Sequence, residues 1–204
     1  MATSFFLRSL TSTLGGAGQL CMAQKRGRAS TTAITTTTAG GTNIPVTTSA
    51  GGQALTWFSE PITVAVTVSS TVTVNVRGLE SANTVNAGAG ILIERTDNAG
   101  TVLSSIVAVT GIPATITEFG TTDAAKTGTY TATSTAMAVG ERIKVTLSIR
   151  NVGTMGAGTA TISYNGAAAA AAGDTYVTFT QDIITDEQKD VPTNEIWGMN
   201  GYYG

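Results

Sequence analysis

The chain contains no histidine in 204 residues. That removes the side chain that most often serves as a general base near neutral pH and most often ligates transition metals. A single cysteine, Cys21, excludes an intrachain disulfide. Charged residues make up only 12% of the chain, about half the usual share. Long surface helices draw on Glu, Lys and Arg, so their scarcity argues against a helical protein. No apolar run approaches the ~20 residues that span a bilayer as a helix. The formal net charge of −2 offers no general attraction to nucleic acid or to an anionic membrane.

Catalytic signatures are missing as well. There is no Gly-x-Ser-x-Gly, no phosphate-binding loop and no Cys-x-x-Cys. The run Asn86-Ala-Gly-Ala-Gly90 lacks the glycine spacing of a phosphate cradle and reads as a tight turn. Asp97 and Asn98 are the only adjacent oxygen donors in a turn, and a turn that bonds its own backbone explains them. Arg77 and Glu80, with Glu94 and Arg95, could make a buried polar network, and ordinary surface charges are the first expectation. The expectation is a chain that is not an enzyme and needs neither metal nor cofactor.

What is present is threonine, alanine, glycine and serine, with branched aliphatics in alternation. In Arg142-Ile-Lys-Val-Thr-Leu-Ser-Ile-Arg150, Ile143, Val145, Leu147 and Ile149 share one face. Period two over nine residues marks a β-strand with one apolar side, and Lys144 and Thr146 are expected to face out. Val64, Val66 and Val68, then Val72, Val74 and Val76, predict one long strand or two with a kink. Gly90–Arg95 and Thr101–Val107 flank the turn Thr96–Gly100 as a β-hairpin. The folded domain is expected to begin near 55–59, and further strands are predicted at 114–119 (a weak one), 129–135, 159–164 and 175–181. The alanine run 167–172 is too short to nucleate a helix and reads as a loop. Closely spaced strands with frequent turn signals predict an all-β, antiparallel β-sandwich, with a jelly roll the favoured form.

Three segments are expected: an extended N-terminal arm over 1–54, the sandwich over 55–182, and a C-terminal tail over 183–204. Residues 1–55 carry Arg8, Lys25, Arg26 and Arg28 with no acid. Residues 182–204 carry Asp182, Asp186, Glu187, Asp190 and Glu195 against Lys189. The opening residues resemble neither a secretory nor a lipoprotein signal and read as a structural arm. The arm is too polar and glycine-rich to fold alone and should order only against a partner. Its anchors would be Phe5, Phe6, Leu7 and Leu10, steered by Arg8, Lys25, Arg26 and Arg28. In the tail, Trp197, Tyr202 and Tyr203 either pack back on the chain's own sandwich or dock on a neighbour, and aromatic anchors are of the kind that interfaces favour.

Several segments together resemble a widespread group of structural proteins from tailed bacteriophages. They are Phe5–Arg8, Thr56-Trp-Phe-Ser-Glu-Pro61, Leu79-Glu-Ser81, Ile91–Arg95, Val139-Gly-Glu-Arg-Ile143, Tyr164-Asn-Gly166 and Gly173-Asp-Thr-Tyr-Val-Thr-Phe-Thr180. The resemblance implies a jelly-roll virion component, assembled in the host cytoplasm, with no catalysis to carry over. Head decoration, or cement, is the first expectation and a neck or tail component the second. Its partners would be other virion proteins, with self-association and without nucleic acid or membrane. A carbohydrate-binding adhesin module is the third, and Trp57, Phe58, Tyr130 and Tyr164 would be its sugar platforms.

Overall fold

The computed structural model describes residues 1–14, 19–27, 31–38, 54–112, 117–152 and 157–186. Its strands are β1 (Thr3–Thr11), β2 (Gln19–Ala23), β3 (Thr32–Thr38), β4 (Ala54–Phe58), β5 (Val66–Glu80), β6 (Ala87–Thr96), β7 (Val102–Ile112), β8 (Ala124–Met137), β9 (Arg142–Asn151), β10 (Gly158–Tyr164) and β11 (Tyr176–Phe179). They form one 11-stranded sheet in the order β3-β10-β5-β11-β1-β2-β4-β9-β6-β7, with β8 on the other edge of β5. Every pairing is antiparallel except β2 with β4. The predicted all-β class and sandwich hold. Among the described residues, no helix is long and apolar enough to cross a membrane.

β5 is where the sheet divides. Val72–Asn75 pair with β11, Arg77–Glu80 with β10, and β8 runs along the opposite edge. The core therefore draws Val72, Val74, Val76, Val177 and Phe179 from one half. From the other it draws Trp57, Ile91, Ile93, Val145, Leu147 and Ile149. Both alternatives raised for Val64–Val76 are partly right. β5 is one strand, but its register with β8 slips between Val68 and Ser70, and Ser70 has a φ of 66°. Val64 lies outside the strand and is exposed.

β9 places Ile143, Val145, Leu147 and Ile149 in the core, as the alternation predicts. Its other face is less open than expected, since Thr146 and Ser148 are also buried. β9 lies between β4 and β6, and Lys144 reaches along the sheet to Glu94, with Nζ 2.7 Å from Oε2. The hairpin β6–β7 forms around Thr96–Gly100. There Asp97 Oδ1 accepts the N–H groups of Ala99 (2.9 Å) and Thr101 (2.8 Å). Those backbone bonds, that of Thr101 first, hold the Asp97 carboxyl below its ordinary range. The alanine run is a loop, as expected, with Ala170 at a φ of 60°.

The largest correction concerns the N-terminal segment. Over its described residues it is not an arm awaiting a partner. β1 lies inside the sheet, antiparallel to β11 on one side and to β2 on the other. Phe5 and Leu7 are fully buried. β3 adds to β10 at the far end of the sheet. At the other terminus Ile183 is buried and Thr185 bridges to Ile62. A terminal strand gains its stability from strands distant in sequence, so its own polarity is a poor guide to whether it folds.

The charges on the central strands also depart from the surface reading. Arg77 Nε donates to Asp123 Oδ2 at 2.8 Å, and Arg95 Nε donates to Glu141 Oε2 at 2.7 Å. Glu80, at the end of β5, is buried, and its Oε2 accepts the N–H of Ala87 at 3.1 Å. Burial, and then the neighbouring Glu118, raise the Glu80 carboxyl above its ordinary value, against the Ala87 N–H and Lys126. The folded chain thus binds this proton more tightly than the unfolded chain does. Raising the pH from the ordinary carboxylate range through the elevated value withdraws it, so this group's contribution to stability falls as pH rises. Melting temperatures of Glu80→Gln and the parent chain, compared from about pH 4 to pH 8, should diverge in the variant's favour with rising pH. Parallel curves would mean that Glu80 ionises as freely in the fold as outside it.

Candidate functional site

Alternation along β1 sends Phe5 and Leu7 into the core and leaves Ser4, Phe6 and Arg8 on the outer side, half-buried. The register aligns that side with its neighbours. Ser4 faces Thr178 and Phe6 faces Tyr176 on β11. Thr178 and Tyr176 face Thr73 and Asn75 on β5, which face Thr129 and Thr127 on β8. The outer face is therefore a field of hydroxyls, in which Ser4 Oγ and Thr178 Oγ1 lie 2.7 Å apart. One aromatic and charged cluster interrupts it.

In that cluster the rings of Phe6 and Tyr176 are 5.4 Å apart and tilted by 53°. The Arg26 guanidinium lies over Phe6, 4.5 Å from the ring centroid. Its Nε donates to Asp174 Oδ1 at 3.1 Å. Asp174 is itself held from two directions. Its Oδ2 accepts the N–H of Ala170 at 2.8 Å, and its carbonyl accepts Asn75 Nδ2 at 2.6 Å. Thr127 Oγ1 donates to Asn75 Oδ1 at 3.0 Å and ties the cluster to β8. The result is a pre-positioned aromatic pair with a fixed guanidinium, beside exposed Lys25 and half-buried Arg8. An aromatic pair with cations at its side suits a protein surface carrying acidic and apolar groups.

Of the residues expected to bind a partner, the structure brings Phe6, Arg8, Lys25 and Arg26 to this face. Arg8 is fixed through its carbonyl, which accepts Trp57 Nε1 at 2.9 Å. Leu10 is exposed on the same strand. Phe5 and Leu7 are corrected, because a side chain fully within the core offers nothing to a partner. Arg28, Trp197, Tyr202 and Tyr203 lie outside the described residues. Tyr176 and Asp174 were missed as site residues. Alternation in Tyr176-Val-Thr-Phe179 separates Tyr176 from the core positions, but nothing local pairs it with Phe6. The proposed sugar platforms are corrected too. Trp57, Phe58, Tyr130 and Tyr164 are all buried, and Trp57 packs its edge on Tyr164 at 5.2 Å and 77°.

A second polar cluster lies beneath the hairpin turn. Arg142 and Glu60 are both buried, with Nη1 3.7 Å from Oε2. Arg142 Nη1 also donates to the Ser59 carbonyl at 2.9 Å, and its Nε lies 3.2 Å from Asn98 Oδ1. Thr13 Oγ1 donates to Glu60 Oε2 at 3.2 Å. This cluster joins the segment after β1, the end of β4, the β6–β7 turn and β9, which is a structural task. Among the described residues, no group of three or more His, Cys, Asp or Glu is placed to hold a metal ion.

No protein-family model matches the chain, and no curated protein matches it. Solved structures do resemble it. A CocE/NonD family hydrolase from Staphylococcus aureus aligns over 91% of this chain and 36% of its own, with a TM-score of 0.57 at 8% identity. An aminopeptidase from a marine sediment archaeon, Thaumarchaeota archaeon, aligns over 91% and 37%, with a TM-score of 0.56 at 9% identity. A chain from infectious bursal disease virus, Gt strain, aligns over 78% and 37% at 13% identity, but its TM-score of 0.31 carries no argument. This chain thus spans little more than a third of the length of each. At such identities the first two likenesses are of fold alone. They nevertheless overturn the expectation that the chain is not an enzyme, because this β-architecture is found in a hydrolase and an aminopeptidase.

Proposed function

We propose that this chain is a structural component of a tailed-phage particle, a head-decoration or cement protein. It attaches through the outer side of β1, with Phe6, Tyr176 and Arg26 at the centre and Arg8 and Lys25 beside them. The observation that carries the reading is how the segments resembling phage structural proteins come together. Scattered along the chain, they are partners in space. Phe5 packs its edge on Phe179 at 6.1 Å, and the Asn165 N–H donates to the Leu7 carbonyl at 2.9 Å. Glu60 meets Arg142, and Arg95 meets Glu141. The resemblance therefore rests on one connected framework and not on isolated words.

A neck or tail position is the alternative, and a cryo-EM map of the particle separates the two. The expected result is density for this sandwich on the head, with the β1 face against a neighbouring protein. Its absence from purified particles overturns the reading. The double variant Phe6→Ala/Arg26→Ala should bind particles at least about tenfold less tightly, as expected for aromatic and arginine anchors. Its fold should survive, since a half-buried stack of this kind contributes about 1–2 kcal/mol and Asp174 keeps the N–H of Ala170. Full occupancy by the double variant would move the attachment to another face.

A further inference from the structure

We infer that β3 is an edge at which a second copy of this chain extends the sheet. The sheet ends in β3 and in β7, and β8, which branches from β5, is a third edge. Among the described residues, no strand pairs with the outer edge of β3. Such an edge presents a row of backbone donors and acceptors, and proteins commonly blunt it with bulges, prolines or charges. β7 and β8 are blunted in this way, since the register of β7 with β6 slips at three places, while β8 carries Lys126 and slips against β5 between Val68 and Ser70. β3 is not. It pairs with β10 from Thr32↔Tyr164 to Thr38↔Gly158 without an irregularity. Thr32-Ala-Ile-Thr-Thr-Thr-Thr38 has no charge, no proline and no glycine.

The sequence also selects the occupant. When this strand pairs antiparallel with its own copy, threonine meets threonine, alanine or isoleucine in every register. Threonine pairs across strands are favourable, and no like charges are brought together. The net charge of −2 sets little repulsion between copies. A two-fold pair uses both β3 edges, so the assembly closes at two chains and does not grow into a fibre. The inference goes beyond the reading as a particle protein and stands apart from it. A dimer that is absent from particles would sink that reading alone, and a monomer found on particles would sink this one alone.

Light scattering on the full chain across the micromolar range tests it. The expected result is a dimer. Thr35 and Thr37 lie at register positions opposite half-buried Thr161 and Thr159, so T35K/T37K sets like charges along the edge. The dissociation constant should rise at least about tenfold, with the melting temperature of the monomer unchanged. A wild-type chain that is monomeric throughout, or a dimer that the lysines leave intact, overturns the inference. If the lysine variant fails to fold, single cysteines decide. Ala33→Cys, Thr35→Cys and Thr37→Cys are treated in turn with a short bis-maleimide, and buried Cys21 is left in place. A cross-linked dimer is expected from at least one position, and none from all three overturns the inference.

Discussion

Deleting residues 1–11 is expected to abolish cooperative folding. β1 is not at an edge. Its removal strips β11 and β2 of their shared neighbour and opens a gap in the middle of the sheet. Three further bonds go with it: the Leu7 N–H to the Thr175 carbonyl at 3.1 Å, the Asn165 N–H to the Leu7 carbonyl at 2.9 Å, and the Ile183 N–H to Thr3 Oγ1 at 2.8 Å. Trp57 Nε1 loses its acceptor, the Arg8 carbonyl. The core loses Phe5 and Leu7, exposed by 0% and 1%. Truncating one buried phenylalanine costs about 3–5 kcal/mol and one leucine about 2–5 kcal/mol. Together they rival the ~5–15 kcal/mol that holds a typical domain. Phe5→Ala alone should therefore lose about 3–5 kcal/mol, while Leu10→Ala, at an exposed position, should change stability by ~0.5 kcal/mol or less. Thermal melts by circular dichroism provide the measurement. A truncated chain that still melts cooperatively near the parent's temperature would restore the segment as a detachable arm.

Arg142→Ala should be the most damaging single change of a charged residue. The guanidinium and the Glu60 carboxylate are 6% and 3% exposed. Removing one leaves the other in the interior without its countercharge, at a cost of about 3–5 kcal/mol. The loss extends past the pair, because Arg142 also holds the Ser59 carbonyl and the Asn98 side chain. Burial pulls the arginine's own pKa down, against the pull of Glu60, so the pair is held at some cost in desolvation. An apolar replacement of both partners, Arg142→Met with Glu60→Leu, should therefore recover most of what Arg142→Ala loses. Denaturant midpoints at unchanged m-value decide the matter. A loss below about 1 kcal/mol in Arg142→Ala would place the pair in contact with water.

What could be read along the chain was whatever is settled between near neighbours. The β6–β7 hairpin is legible because Asp97 closes its turn within four residues. The inward face of β9 is legible because alternation assigns it before any partner is known. β1 was misread although Phe5 and Leu7 alternate with Phe6 and Arg8. One of its partners, β11, lies more than 160 residues away, and no local pattern announces that pairing. The proposed binding face was legible only in part, for the same reason. Phe6, Arg26, Asp174 and Tyr176 come from three regions of the chain, and the β1–β2 and β1–β11 pairings together make them neighbours.

By itself, then, the sequence determined the all-β class, the apolar face of each regular strand and the turn chemistry. These follow from side-chain period and backbone preference within a few residues. The tertiary structure decided which strands are central and which are edges, which arginine meets which carboxylate, and which aromatics reach the surface. Those outcomes depend on register between distant strands. A strand's alternation says that one side is buried, but only its neighbours determine whether the other side meets water, a salt bridge or a second chain.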